Sequence, residues 1–274
     1  MTAGRHIVNG VETDTVLVQD RGFSYGDGCF ETIAIRNGRP LLWSLHMNRL
    51  RDGCARLGIR WNFGAPDLEA ACGRLAGTAE RAVIRVTVTR GVGGRGYRPT
   101  AEASPTWVAS SFPWPDGVEE KRLQGVALTW CEMVLSCNPR LAGIKHLNRL
   151  EQVLARSEWG DEFEEGLMCD AEGGVREGTM SNVFFIENGI LRTPALADGG
   201  INGIMRDRVM RAARDDGLTV EEGRYTPENL NTARAVFVTN SIIGIWPVTR
   251  LDNKSYSLHP TVTRLQHVIS DAVA

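Results

Sequence analysis

The sequence predicts an α+β protein of two domains with a cleft between them, on the strength of its turn signals, its helical stripes and one Pro-rich break. Asn-Gly pairs at Asn9-Gly10, Asn37-Gly38 and Asn188-Gly189 lie between apolar stretches in both halves, and this dipeptide supplies the positive φ angles of tight antiparallel turns. Helical stripes are interleaved with those hairpins, without the regular strand-helix-strand alternation of a parallel sheet. The run from Pro113 to Lys121 is rich in Pro and charge and divides the chain into domains 1–112 and 122–274, with 113–121 as linker.

In the first domain Val16 to Val18 and Phe30 to Ile35 read as strands. Ser44 is placed as the N-cap of a helix in which Leu45, Leu50, Cys54 and Leu57 recur at helical spacing, and Gly58 ends it. A second helix spans Leu68 to Leu75. From Arg81 to Thr89, Ile84, Val86 and Val88 alternate with Arg85, Thr87 and Thr89, the pattern of a half-buried strand. Thr106 to Phe112 is a further strand. Beyond the linker, Val126 to Met133 reads as a strand, and Leu147, Leu150, Val153 and Leu154 mark a helix from His146 to Trp159. Strands resume near Leu167, at Val183 to Ile186 and at Ile190 to Arg192. A helix opens at Ile201 to Met205 and stops at Gly217, and the strand Ala235 to Thr239 follows.

With 274 residues, 42% of them hydrophobic, the chain can fill two cores. A formal charge of -2 creates no field that would gather nucleic acid or an anionic membrane, so any anionic ligand must be held by local groups. The six cysteines form no CxxC pair and the N-terminus has no basic segment followed by an apolar run, which predicts a reduced, cytoplasmic protein. No apolar run approaches the roughly 18 residues that span a bilayer. The five histidines form no HExxH or Cys/His cluster, so no metal site is expected.

Two short motifs fail on context. Gly91 to Gly96 fits G-x-G-x-x-G, but Tyr97, Arg98, Pro99 and Pro105 follow it where a dinucleotide site needs a helix. Gly22-Phe23-Ser24-Tyr25-Gly26 fits the nucleophile elbow after a predicted strand, yet a β-type run follows instead of a helix and no His stands ready as base.

Six ordered blocks carry a stronger signal. They are Asp20-Arg21-Gly22 with Gly26-Asp27-Gly28, His46 to Leu50, Arg90 to Tyr97, Gly143 to Glu151, Glu177-Gly178 with Ser181 to Phe184, and Asn202 to Arg206. In this order and spacing the chain resembles the fold-type IV pyridoxal-phosphate enzymes, the class of the branched-chain and D-amino-acid aminotransferases. Gly-Gly-Arg-Gly-Tyr at 93–97 and the run Ile144 to Glu151 are similar in particular to its aminodeoxychorismate lyase branch. The resemblance covers nearly the whole chain and implies a homodimer with its active site in the interdomain cleft.

It also implies roles for residues that, read alone, are ordinary. Lys145 would be the Schiff-base lysine, desolvated so that its amine is neutral and can attack an aldehyde; alone it reads as a solvated lysine. Glu177 matches the carboxylate that keeps the pyridine nitrogen of pyridoxal 5'-phosphate protonated. Arg49 matches the phosphate arginine, with Gly203, Ile204 and Met205 offering backbone N–H groups at a helix start and Ser241 a hydroxyl. Met205 departs from the threonine common in the aminotransferases, leaving only its N–H. Arg95, in its glycine-rich loop, would pair with a substrate carboxylate and Tyr97 would add a hydroxyl or ring face. Thr32 would face the substrate side of the cofactor, although an ordinary strand threonine fits equally.

The implied reaction converts aminodeoxychorismate to p-aminobenzoate and pyruvate, a step of folate biosynthesis, with Lys145 as base. An aminotransferase would use the same lysine, glutamate and phosphate cradle. Leu150 stands five residues after Lys145, where branched-chain aminotransferases carry a tyrosine, and this favours the lyase. A non-catalytic anion-binding module built on the Gly/Arg loop is the alternative outside enzymes. An RGG-like nucleic-acid segment does not fit a loop between two strands in a chain of this charge.

Overall fold

The computed structural model describes residues 5–99 and 103–271. Its contacts divide into two units, one of residues Met1–Pro115 with Ile144–Asn148, the other of Asp116–Gly143 with Arg149–Ala274. The second half of the segment 113–121, expected as a linker, is helical. Val118 is buried and its carbonyl accepts from Trp246 Nε1 at 3.1 Å, which anchors a helix where a spacer was expected.

The first unit comprises β1 (His6–Val8), β2 (Val11–Glu12), α1 (Arg21–Tyr25), β3 (Gly28–Arg36), β4 (Arg39–Pro40), α2 (Trp43–Arg56), α3 (Ala65–Ala76), β5 (Arg81–Thr89) and β6 (Thr106–Pro113). Its sheet is antiparallel throughout, in the order β2-β1-β6-β5-β3-β4. Alternation along a strand sends neighbours to opposite faces. Cys29, Glu31, Ile33 and Ile35 of β3 therefore share one face with Ile84, Val86 and Val88 of β5, and Cys29, Ile33, Ile35 and the β5 residues join one buried apolar cluster with Leu50 and Cys54 of α2 and Leu68 and Leu75 of α3. Burying a Leu or Ile of this kind contributes about 1.5–3 kcal/mol. The opposite face carries Phe30 and Thr32 beside Arg85 and Thr87.

Two expectations for this unit change. Val16 to Val18 form no strand and are exposed by 47, 63 and 69%, because no neighbouring strand among the described residues offers them a ladder. Ser44 lies inside the first turn of α2, whose N-cap is Leu42 at a φ of 54° with no capping side chain. Packing of Met47 and Leu50 on the sheet, rather than capping, sets that helix.

The second unit comprises α4 (Val118–Gln124), β7 (Val126–Trp130), α5 (Leu150–Arg156), β8 (Glu165–Cys169), β9 (Val175–Gly178), β10 (Asn182–Glu187), β11 (Ile190–Pro194), α6 (Ile204–Asp215), β12 (Val220–Gly223), α7 (Pro227–Thr232), β13 (Ala235–Asn240), β14 (Gly244–Leu251), β15 (Lys254–Ser255) and α8 (Pro260–Asp271). Its mixed sheet runs β12-β11-β10-β13-β14-β7-β8-β9, with β15 on β14. At its centre Phe184 and Phe237 pair across β10 and β13, rings stacked 5.0 Å apart. Helix α6 starts at Ile204, later than the expected Ile201.

The helix expected from His146 to Trp159 is reduced to Leu150–Arg156, and its face is reversed. Gln152 and Ala155 are buried, whereas Leu150, Val153 and Leu154 are exposed by 76, 57 and 55%. Residues 144–147 are claimed instead by β3. Phe30 N–H donates to the Lys145 carbonyl at 3.0 Å and Leu147 N–H to the Gly28 carbonyl at 3.0 Å, around an antiparallel bridge of Cys29 and His146. The segment carrying Lys145 thus belongs with the first unit, although sequence order placed it in the domain 122–274. Among the described residues, no helix is long and apolar enough to cross a membrane.

Candidate active site

In the first unit the functional candidates gather around β3. Pairing of Cys29 with His146 sets Lys145 opposite Phe30, and the Lys145 Nζ lies 4.5 Å from the centre of the Phe30 ring. Thr32, two residues on, shares the Phe30 face and pairs across the sheet with Arg85. The Arg85 guanidinium carbon sits 4.0 Å from the same Phe30 ring, and burial pushes its pKa down. Sequence pattern alone makes Arg85 no more than the polar alternate of a half-buried strand. Its cross-strand position beside Thr32 makes it a cation on the face that also bears Phe30 and Lys145.

The other face of β3 holds Glu31, with no exposed surface. Its two carboxylate oxygens accept from Arg49 Nε at 2.7 Å and Nη2 at 2.5 Å, and from His46 Nδ1 at 2.6 Å. Burial pushes the Glu31 carboxyl up, but the Arg49 charge and the hydrogen bonds from His46 and Arg49 outweigh it and hold the pKa at about 2. His46 and Arg49 lie three residues apart on α2, hence on one helix face. The sequence did carry a signal for this cluster. Glu31 occupies an apolar parity position of β3, where a charge needs a buried partner.

Arg95 and Tyr97 are exposed in the loop after β5, Tyr97 by 86%. The loop is moored to α1. Arg21 donates to the carbonyls of Gly96 at 2.8 Å and Tyr97 at 3.1 Å, the Tyr25 hydroxyl accepts from Gly96 N–H at 3.0 Å, and the rings of Tyr25 and Tyr97 meet edge to face. Arg90, also near this loop in sequence, is committed elsewhere: it donates to Asp27 and to the carbonyls of Leu57 and Gly58. Among the described residues no helix follows Gly96, and Ser24 sits within α1 with strand β3 after it, whereas the strand expected before it is absent.

In the second unit Glu177 lies within β9, buried at 3% exposure. Its Oε2 accepts from Ile201 N–H at 2.7 Å, and Ile201 is bridged to Gly143, two residues before Lys145 in the chain. The turn after Glu177 is held by Glu165, a buried carboxylate that accepts from Thr179 N–H and Oγ1, Met180 N–H and Ser181 Oγ. Burial raises its pKa against these bonds. Its importance was invisible in sequence, because its donors come from a turn more than ten residues on.

Gly203 is the N-cap of α6, and no side chain caps the N–H groups of that first turn, to which Ile204 and Met205 belong. A Cβ on Gly203 would stand 1.9 Å from Asn182 Oδ1, so glycine is required where Asn182 braces the loop through its hydrogen bond to the Ile201 carbonyl at 3.0 Å. Ser241 is half-buried in the turn between β13 and β14, which Asn240 closes by accepting from the N–H groups of Ile242 and Ile243. Within each unit the structure thus groups Lys145, Thr32 and Arg49 about β3, and Glu177 with the loop that leads into Gly203. No set of described residues could hold a metal ion.

The sequence profile described as Amino-transferase class IV matches residues 28–251. An aminodeoxychorismate lyase of Vibrio harveyi is 35% identical over 243 residues, 88% of this chain and 89% of that protein. The crystal structure of 4-amino-4-deoxychorismate lyase from Pseudomonas aeruginosa superposes with a TM-score of 0.91 and 40% identity, covering 97% of this chain and 98% of the other. A branched-chain amino acid aminotransferase from T.th., solved with pyridoxamine 5'-phosphate, superposes with a TM-score of 0.87 at 25% identity, covering 100% and 95%.

Proposed function

This chain belongs to the amino-transferase class IV family, and from that premise we propose that it is a pyridoxal-phosphate-dependent aminodeoxychorismate lyase, releasing p-aminobenzoate and pyruvate for folate biosynthesis. The observation that carries the lyase over an aminotransferase is the 40% identity to a lyase of known structure along almost the full length of both chains.

The residues present fit the cofactor by their chemistry: an amine, a buried carboxylate, a guanidinium and an uncapped helix start answer an aldehyde, a pyridine nitrogen and a phosphate. Lys145 would hold it through Nζ, Glu177 would pair with the ring nitrogen, and Arg49, Ser241 and the N–H groups of Ile204 and Met205 behind Gly203 would take the phosphate. When bound, the cofactor supplies an electron sink for the breaking of a substrate C–H bond.

Lys145 Nζ removes the proton from the substrate carbon that bears the amine. The adjacent C–O bond then breaks, the enolpyruvyl group leaves and takes up that proton at its methylene carbon to become pyruvate, and the ring becomes aromatic, which makes the reaction strongly downhill. Arg95 pairs with one substrate carboxylate, with Tyr97 beside it, and Arg85 is a second cation suited to the other. Thr32 supplies a hydroxyl on the Phe30 face, where it can hold a proton or a water.

The protein is proposed to act in the cytoplasm, which its six free cysteines support. A homodimer is proposed as well; the exposed apolar runs Val16 to Val18 and Leu150, Val153 and Leu154 support it. Incubation with aminodeoxychorismate should yield p-aminobenzoate and pyruvate in equal amounts. Consumption of a keto acid with formation of an amino acid would instead identify an aminotransferase, an activity hosted by the same fold in the branched-chain enzyme.

A further inference from the structure

Glu31 and His46 belong to none of the roles assigned above, yet they form the most completely buried polar cluster of the first unit, at 0 and 1% exposure. Both Glu31 oxygens engage the Nε and Nη2 edge of Arg49, at 2.7 and 2.5 Å, in the side-on geometry that fixes the plane of a guanidinium. His46 Nδ1 donates to Oε2 at 2.6 Å and so fixes the carboxylate in turn. The other ring nitrogen, Nε2, is buried without a hydrogen-bond partner among the described residues. A position that served packing alone would hold an apolar side chain and avoid that unsatisfied atom. The chain retains the imidazole, and its one polar contact among the described residues is with the carboxylate that grips Arg49.

We propose that Glu31 and His46 are positioning residues that pre-set the Arg49 guanidinium for a phosphate ester, so that phosphate affinity depends on two side chains that touch no phosphate. An arginine side chain has many rotamers, and ordering it during folding removes that cost from the binding step. A carboxylate on the guanidinium weakens its net attraction for a dianion but fixes its direction. Pre-organisation of this kind makes binding selective for the phosphate ester over the bare alcohol. The inference rests on the reading of Arg49 as the phosphate arginine.

The test compares two probes on the full chain freed of cofactor: pyridoxal 5'-phosphate, and pyridoxal, which lacks the phosphate. In Glu31→Gln, affinity for pyridoxal 5'-phosphate should fall about ten- to a hundred-fold, the range for loss of a charge-assisted hydrogen bond, while affinity for pyridoxal changes less than about three-fold on the same scale. His46→Asn should shift the same ratio in the same direction by less, and carries the test if Glu31→Gln does not fold. In an Arg49→Gln background, Glu31→Gln should add no further change to the ratio. If Arg49→Gln collapses the ratio but neither Glu31→Gln nor His46→Asn moves it, or if both probes weaken together, the positioning role is wrong. If Arg49→Gln itself leaves the ratio intact, the reading of Arg49 fails instead.

Discussion

Lys145 is the residue on which the proposed chemistry turns, and its segment is bound to β3 by one hydrogen bond on its own carbonyl and one on Leu147 N–H. Lys145→Ala should lower kcat by about 10²–10⁴-fold or more, the range for loss of a positioned acid–base group, and borohydride treatment with cofactor should leave its mass unchanged where the parent chain gains a covalent adduct. Glu31 gives a second prediction at this scale. Its carboxyl titrates near 2 in the folded chain against an ordinary 4.5. A depressed carboxyl stabilises the fold above its unfolded pKa and loses that contribution as pH falls through the folded value. The unfolding free energy, from denaturation curves recorded between pH 5 and pH 2, should therefore drop by an amount on the order of a few kcal/mol that Glu31→Gln lacks; equal slopes for the two proteins would contradict the pairing. Lys145, Arg49 and Glu177 stand out in the sequence as candidates only through the ordered blocks around them, because each alone is an ordinary charged residue. Glu165 and Arg85 were not legible, since their partners are brought in by strand register.

At the scale of elements, the strands were read best where one face is buried. The alternation of Arg81 to Thr89 predicted β5 to the residue, and Phe30 to Ile35 lies wholly inside β3. The reading failed where apolar residues do not face a core: Val16 to Val18 and the stripe of α5 are exposed, and periodicity cannot say which surface a stripe meets. The loop into α6 depends on close approach. Gly203→Ala would drive a methyl into Asn182 Oδ1 and unseat the brace on Ile201, whose N–H orients Glu177. We expect a loss of about 1–3 kcal/mol in stability, as for other overpacked sites, together with weaker retention of pyridoxal 5'-phosphate, read by thermal melts with and without added cofactor. An unchanged melt in both conditions would mean that Asn182 can move without consequence.

At the scale of the whole molecule, the sequence predicts two domains joined through 113–121, and the contacts divide into two units between Pro115 and Asp116. It did not foresee that five residues from far along the chain, Ile144–Asn148, are counted with the first body. Linear order hides such a return, because a hydrogen-bonded strand segment of this length has too few residues to show a period. If the proposed homodimer forms, sedimentation should give twice the chain mass of 30.1 kDa, and charged substitutions at Leu17 and Leu150 should shift it toward the single chain. A mass of 30.1 kDa at micromolar concentration would refute the dimer.

The borrowed segment sets a limit on how the gene can be divided. A fragment ending at Pro115 would keep the six strands of the first sheet yet lack the stretch that accepts from Phe30 N–H and donates to the Gly28 carbonyl. That piece would carry a raw, unpaired border beside an apolar layer, the kind of edge that recruits other chains into aggregates. Cut-and-reassemble schemes should therefore graft residues 144–148 onto the earlier half, and in doing so they would carry the Lys145 amine away from the half that encodes Glu177.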